Sequence, residues 1–234
     1  MIPPSRVRRL LWLWYRRRRF ALLFAVLLLT LAGHSFFNTL SIAGKPSEWL
    51  LAVNIAGVLL SVEAPPRALR LVGAILAFAR LPQTLIAVPI LHQLSQVLWA
   101  GACVLATIAT MSVAFRRGRI DRERIFAVLD AYLLTGVIFG LVYALVDEIH
   151  PGSFHTPAGG AMRFEQGVYL SFVVLTSLGF GEVLPVTGVA RGLTVVEAVI
   201  GQMYMAVVVA RLVSLYAAEE FARQIEERER RRKS

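Results

Sequence analysis

The chain has 234 residues, of which 57% are hydrophobic and 17% charged, with a formal net charge of +10. Ordinary soluble domains run at roughly 45–50% apolar and about 25% charged, and here the apolar residues fall in blocks of membrane-spanning length, which excludes an ordinary soluble domain. The single cysteine, Cys103, lies inside such a block and excludes an intrachain disulfide framework and a zinc pattern.

The arginines lie between the apolar blocks, so they read as orientation signals and contacts to anionic lipid headgroups rather than as a nucleic-acid surface. Residues 1–19 mix arginines with Trp12, Trp14 and Tyr15, an interfacial combination. A cleaved signal peptide is the alternative; the long basic part and the apolar run through Phe36 and Phe37 favour a retained first helix.

Residues 20–115 read as four spans, at about 20–38, 48–63, 69–91 and 94–115. His34 and Asn38 sit near the end of the first and read as interfacial. Arg80, Pro82 and Gln83 interrupt the third and Pro89 follows, which fits either a proline-kinked helix or a helix with a re-entrant piece. The fourth is free of charge. A basic linker at 116–125 reads as a surface helix, too short and too tethered to bind DNA.

A fifth span covers about 126–147. Asp130 inside it is a functional candidate by position, although Glu123 and Arg124 nearby favour an ion pair with an arginine at the membrane edge. The polar, glycine-rich stretch 148–164 carries His150 and His155 and reads as a flexible exposed loop rather than a metal or pH-sensing site. After a short apolar run at 166–176 and the heptad 176–182 comes the last span, about 190–217, and then a charged tail, 218–234, that reads as a solvated helix. Basic loops alternate with nearly neutral ones, which places both termini in the cytoplasm around six spans.

The heptad Thr176-Ser177-Leu178-Gly179-Phe180-Gly181-Glu182 sits where a 166–176 helix is too short to cross the ~30 Å hydrocarbon core. Non-helical backbone at that depth is tolerated where it lines a cavity. Rings of backbone carbonyls from several chains replace the water that a cation sheds. Aiming successive carbonyls one way requires alternating signs of φ, and glycine reaches positive φ without steric cost, which accounts for Gly179 and Gly181. Ser177 adds a hydroxyl at the inner end, and the negative end of the short helix near Thr176 favours a cation in a central cavity.

Residues 126–217 resemble the pore module of the potassium channel superfamily: outer helix, pore helix, filter and inner helix. The family's filter reads Thr-Val-Gly-Tyr-Gly-Asp, usually after another Thr. Thr176 matches that preceding Thr, Ser177 the filter Thr, Leu178 the Val, Gly179 and Gly181 the glycines, Phe180 the Tyr and Glu182 the Asp. Pro185-Val186-Thr187 and Arg191 also fit, and Gly201 falls at the family's inner-helix hinge. Residues 165–216 are similar to small bacterial ion channel proteins carrying Glu-Ala-x-x-Gly-Gln-x-Tyr, here Glu197, Ala198, Gly201, Gln202 and Tyr204. Ser with Phe in the filter resembles the ether-à-go-go related channels, which are potassium selective.

The resemblance implies an all-α membrane protein of six transmembrane helices, with a re-entrant pore helix and selectivity filter between the last two. It implies a homotetramer in a bacterial inner or plasma membrane. Potassium would be bound at Ser177, Leu178, Gly179 and Phe180, and Thr176 and Gly181 complete the filter. Tyr169, Glu182, Arg191 and Glu197 would support it. For Glu197 the reading is a hydrogen bond behind the filter or to Ser171, against a protonated packing residue. Gly201, Gln202, Met205 and Ala217 would form the hinge and cavity, with a helix–helix hydrogen bond as the alternative for Gln202. No cofactor beyond permeant potassium, no small-molecule substrate and no nucleic acid is implied. No nucleophile–base or metal constellation is visible, so an enzyme is not expected. Because the fourth span has no arginine ladder, and moving one charge through 100 mV yields ~2.3 kcal/mol, voltage gating is expected to be weak. The rivals are a weakly selective cation channel, a transporter component (though no second copy of the motif is present) and a non-conducting membrane subunit.

Overall fold

Apolar helices of two dozen residues dominate the computed structural model, which describes residues 18–33, 55–58, 89–114, 122–157 and 159–233. Helix α1 covers 18–33 and a single helical turn covers 55–58. Then come α2 (Pro89–Ala114), α3 (Arg122–Ile149), β1 (Phe154–His155), α4 (Phe164–Leu175), β2 (Leu184–Pro185) and α5 (Gly188–Lys233). Among the described residues three helices are long and apolar enough to cross a membrane: Gln96–Val113 in α2, Glu123–Ile149 in α3 and Gly188–Val208 in α5. Helix α4 is apolar but shorter. Most of the expected spans at 48–63 and 69–91, most of segment 1–19 and the linker at 115–121 lie outside the described residues.

The boundaries differ from the sequence reading in three places, each for a local reason. Pro89 stands at the first position of α2 rather than at the end of a preceding span, where its missing N–H and fixed φ cost nothing. Helix α3 already runs at Arg122, so the end of the expected linker is its first turn. Helix α5 continues to Lys233, so the tail is the same helix as the last span.

Two hydrogen bonds fix how the helices run. Gln96 near the start of α2 donates from Nε2 to Glu148 near the end of α3 at 2.9 Å, which makes the two antiparallel. The Phe20 N–H at the start of α1 donates to Glu123 at the start of α3 at 2.8 Å. That carboxylate meets an unsatisfied N–H at a helix N-terminus, where negative charge is favoured. Between these anchors Phe20, Leu23 and Leu27 of α1 pack with Trp99, Cys103 and Ala106 of α2 and Leu134 and Val137 of α3. Hydroxyls inside these apolar helices bond their own backbone: Thr30 to Val26 O at 2.6 Å, Thr110 to Ala106 O at 2.7 Å and Thr135 to Ala131 O at 2.8 Å. That satisfies groups which hydrocarbon would leave without a partner.

Helix α4 crosses α3 with almost no gap. A Cβ on Gly167 would lie 2.4 Å from the Gly140 carbonyl oxygen, and one on Gly140 would lie 2.7 Å from the Val168 Cα. Small residues let backbones touch, as in membrane helix pairs generally. Helix α5 packs against both: its Tyr204 hydroxyl donates to the Val128 carbonyl of α3, and its ring lies 5.2 Å from that of Tyr132. Yet Val195, Val196, Val199 and Met203 of α5 are exposed in the single chain.

The stretch 148–164 is built rather than loose, which corrects the expectation of a flexible loop. Phe154, Met162, Ser153 and Thr156 are buried. Strand β1 pairs antiparallel with β2, Phe154 opposite Pro185 and His155 opposite Leu184.

Candidate functional site

Helix α4 begins where Gln166 Oε1 accepts the Arg163 N–H at 2.9 Å, and Glu165 lies in its first turn. It ends at Leu175 in a specific cap. The Leu178 N–H bonds Val173 O at 2.9 Å and the Ser177 N–H bonds Val174 O at 3.0 Å. This 6→1 and 5→2 pair normally has glycine in the left-handed position. Here Ser177 occupies it, at φ +58°. A side chain in that region costs about 1 kcal/mol or more. Thr176, at the cap, bonds Phe172 O with both its hydroxyl, at 2.6 Å, and its N–H, at 3.0 Å.

Past the cap the backbone alternates. Gly179 has φ +65° and Gly181 φ +79°, so every second residue from 177 to 181 is left-handed. A Cβ on either glycine would meet nothing within 4 Å, so backbone conformation rather than crowding within the chain calls for glycine there. Alternating signs of φ are what aiming successive carbonyls one way requires. The sequence pointed to the two glycines but not to Ser177, which the cap geometry alone places in the left-handed region.

Leu178 and Phe180 are 59% and 63% exposed, and Thr176, Ser177, Gly179 and Gly181 are exposed as well. Three side chains hold the segment's flanks. The Tyr169 hydroxyl donates to Glu182 Oε2 at 3.1 Å, Gln202 Nε2 donates to Ser177 Oγ at 2.6 Å, and Arg191 Nε donates to the Pro185 carbonyl at 3.4 Å. Gln202 thus joins α5 to the segment that follows α4, not to another helix. Met205 and Ala217, expected near the cavity, are exposed on α5.

Glu197 is fully buried. Ser171 of α4 donates to its Oε1 and Tyr143 of α3 to its Oε2. Three helices therefore meet on one carboxyl group. Ser171 was anticipated and Tyr143 was not; nothing in the sequence separates it from the other aromatics of α3. Gly201, expected as a hinge, lies where a Cβ would sit 2.8 Å from the Leu175 carbonyl oxygen, so the close crossing of α5 over the end of α4 requires glycine. The Tyr132 hydroxyl donates to that same carbonyl at 3.0 Å, satisfying a helix-end acceptor. Asp130 is fully buried in α3.

Asp147 is a residue the sequence gave no reason to single out. Fully buried, it accepts the Phe154 N–H at 3.2 Å and the Met162 N–H at 2.6 Å. Beside it the Ser153 carbonyl accepts the Val186 N–H at 2.8 Å. The loop is thereby tied to the strand that follows the 176–182 segment. Asp147→Ala is expected to leave two buried N–H groups without an acceptor, at about 1–3 kcal/mol each. Hydrogen exchange at Phe154 and Met162 will read this as faster exchange at those two amides.

Residues 127–218 match the family described as "Ion channel", a two-transmembrane-helix family within the potassium channel superfamily. The match covers less than half of the chain. Protein LctB of Bacillus caldotenax is 28% identical over 101 residues, covering 41% of this chain and 74% of that protein. No solved structure matches the chain.

Proposed function

We propose that the protein is a potassium-selective channel in which four copies surround one axis and residues 176–181 of each supply the carbonyls that replace potassium's water. The observation that carries this reading is the left-handed backbone at every second residue from Ser177 to Gly181, starting at the capped end of a helix too short to span a bilayer. In this reading α4 enters the membrane part-way and α3 and α5 are the outer and inner helices. One segment cannot enclose an ion, so a closed ring of four is required. The exposed apolar faces of α5 then meet other copies. The basic segments face the anionic headgroups of the inner leaflet of a bacterial membrane, and both termini lie in the cytoplasm. Helix α2, which carries no Arg, Lys, Asp or Glu, supplies no sensor work, so gating by voltage is weak.

The test is potassium flux from liposomes. Wild type is expected to pass potassium, and Gly179→Ala to fall to background, because a Cβ at φ +65° disturbs the carbonyl ring in every copy. Unchanged flux in the variant overturns the assignment. Reversal potentials under opposed sodium and potassium gradients separate the selective reading from a weakly selective cation channel. A wild type that passes no current points to a non-conducting subunit.

A further inference from the structure

Resting on the pore reading above, we infer that Gln202 is a positioning residue for the innermost ion site, acting through the Ser177 hydroxyl to set how strongly that site holds potassium and rejects sodium. Gln202 Nε2 lies 2.6 Å from Ser177 Oγ. It is a direct side-chain link from α5 to the inner end of the segment.

Ser177 needs such a link for two reasons. Its backbone is left-handed although it carries a Cβ, and such a conformation persists only where its surroundings hold it. The cap bonds hold the main chain but leave the side chain free. Serine also lacks the second Cβ substituent that restricts χ1 in a β-branched residue. A hydroxyl has one donor and two acceptor lone pairs. The Gln202 amide fills one lone pair and fixes the rotamer, which leaves the other for a cation. Released, the hydroxyl is free to turn its proton toward the axis, where it repels the ion.

The reach of Gln202 is itself fixed. At the neighbouring Gly201 a Cβ would lie 2.8 Å from the Leu175 carbonyl oxygen and 3.0 Å from its Cα. Helix α5 therefore rests on the last residue of α4, two residues before Ser177. The Tyr132 hydroxyl, 3.0 Å from the same carbonyl, holds that residue from the α3 side. The hydrogen bond closes a short frame of backbone contacts rather than spanning a loose gap.

The experiment is a double-mutant cycle on the full chain in liposomes, with Gln202→Leu, Ser177→Ala and the pair, read as the potassium-to-sodium permeability ratio. Each single variant is expected to lower the ratio roughly tenfold, the effect of one lost hydrogen bond. The pair is expected to match Ser177→Ala alone, because the two residues act through one bond. An unchanged ratio in Gln202→Leu, or losses that add in the pair, overturns the inference. A second readout needs no current: potassium raises the thermal midpoint of purified protein by binding the folded form. Gln202→Leu is expected to raise the half-effective potassium concentration roughly tenfold, and an unchanged concentration overturns the inference as well. Wild type that shows neither flux nor a potassium-dependent midpoint overturns the pore reading and this inference together. Wild-type flux with an unaltered Gln202→Leu overturns the inference alone.

Discussion

Glu197→Ala is expected to be the most destabilising single change in residues 122–233, lowering the thermal midpoint of the detergent-purified protein well below that of any surface variant. The carboxyl is the acceptor for two buried hydroxyls, Ser171 and Tyr143, on two different helices. Truncation leaves both without a partner, at about 1–3 kcal/mol each, and adds a cavity beneath the short helix. Glu197→Gln keeps one acceptor oxygen, and a hydroxyl is able to turn and accept from the new amide, so it is expected to cost about 1 kcal/mol. Ser171→Ala with Glu197→Gln should be less than additive, since one bond is counted in both. Equal midpoints for Glu197→Ala and wild type would show that the three helices are not joined at this carboxyl.

The second large effect is expected from Gly167→Ala. The new Cβ falls 2.4 Å from the Gly140 carbonyl oxygen, a backbone atom that cannot swing aside. Overpacking of this kind costs about 1–3 kcal/mol or more, and the relief open to the chain is for α4 to move away from α3. Because α4 leads directly into Thr176, the displacement reaches residues 176–181, so on the proposed pore reading potassium flux is expected to be lost even where protein is still inserted in the membrane. Gly101→Ala in α2 is the control: a Cβ there meets nothing within 4 Å, and alanine in a helix gains about 0.5–1 kcal/mol over glycine. Flux and thermal midpoint measured together will separate the two. Wild-type flux from Gly167→Ala would remove the tight crossing from the account.

The parts of the site that were legible in the sequence are those where one residue type answers a local demand. Gly179 and Gly181 answer the need for positive φ, a short apolar run before them marks α4, and Glu197 stands out because a carboxylate in an apolar helix requires partners. The parts that were not legible depend on residues distant in the chain. Asp147 accepts N–H groups from Phe154 and Met162, and no spacing announces that a carboxylate at a helix end will fold under a loop. For the same reason 148–164 read as loose: its glycines and prolines suggest turns, while the burial of Phe154 and Met162 follows only from their packing beside Tyr143. Gly201 shows a different limit. Its presence was legible, but its reason, contact with the Leu175 backbone, is a fact of three dimensions. The fold was legible as helical and membrane-spanning, and the described residues hold three such helices.

Helix α5 runs unbroken for 46 residues, ~69 Å at 1.5 Å per residue, of which the part apolar enough to cross a membrane ends at Val208. The remainder is a shaft of roughly 37 Å with no joint between it and the crossing at Gly201. A sideways push at its far end arrives at that crossing as a tilt, with the Leu175 backbone as fulcrum and Gln202 on the turning arm.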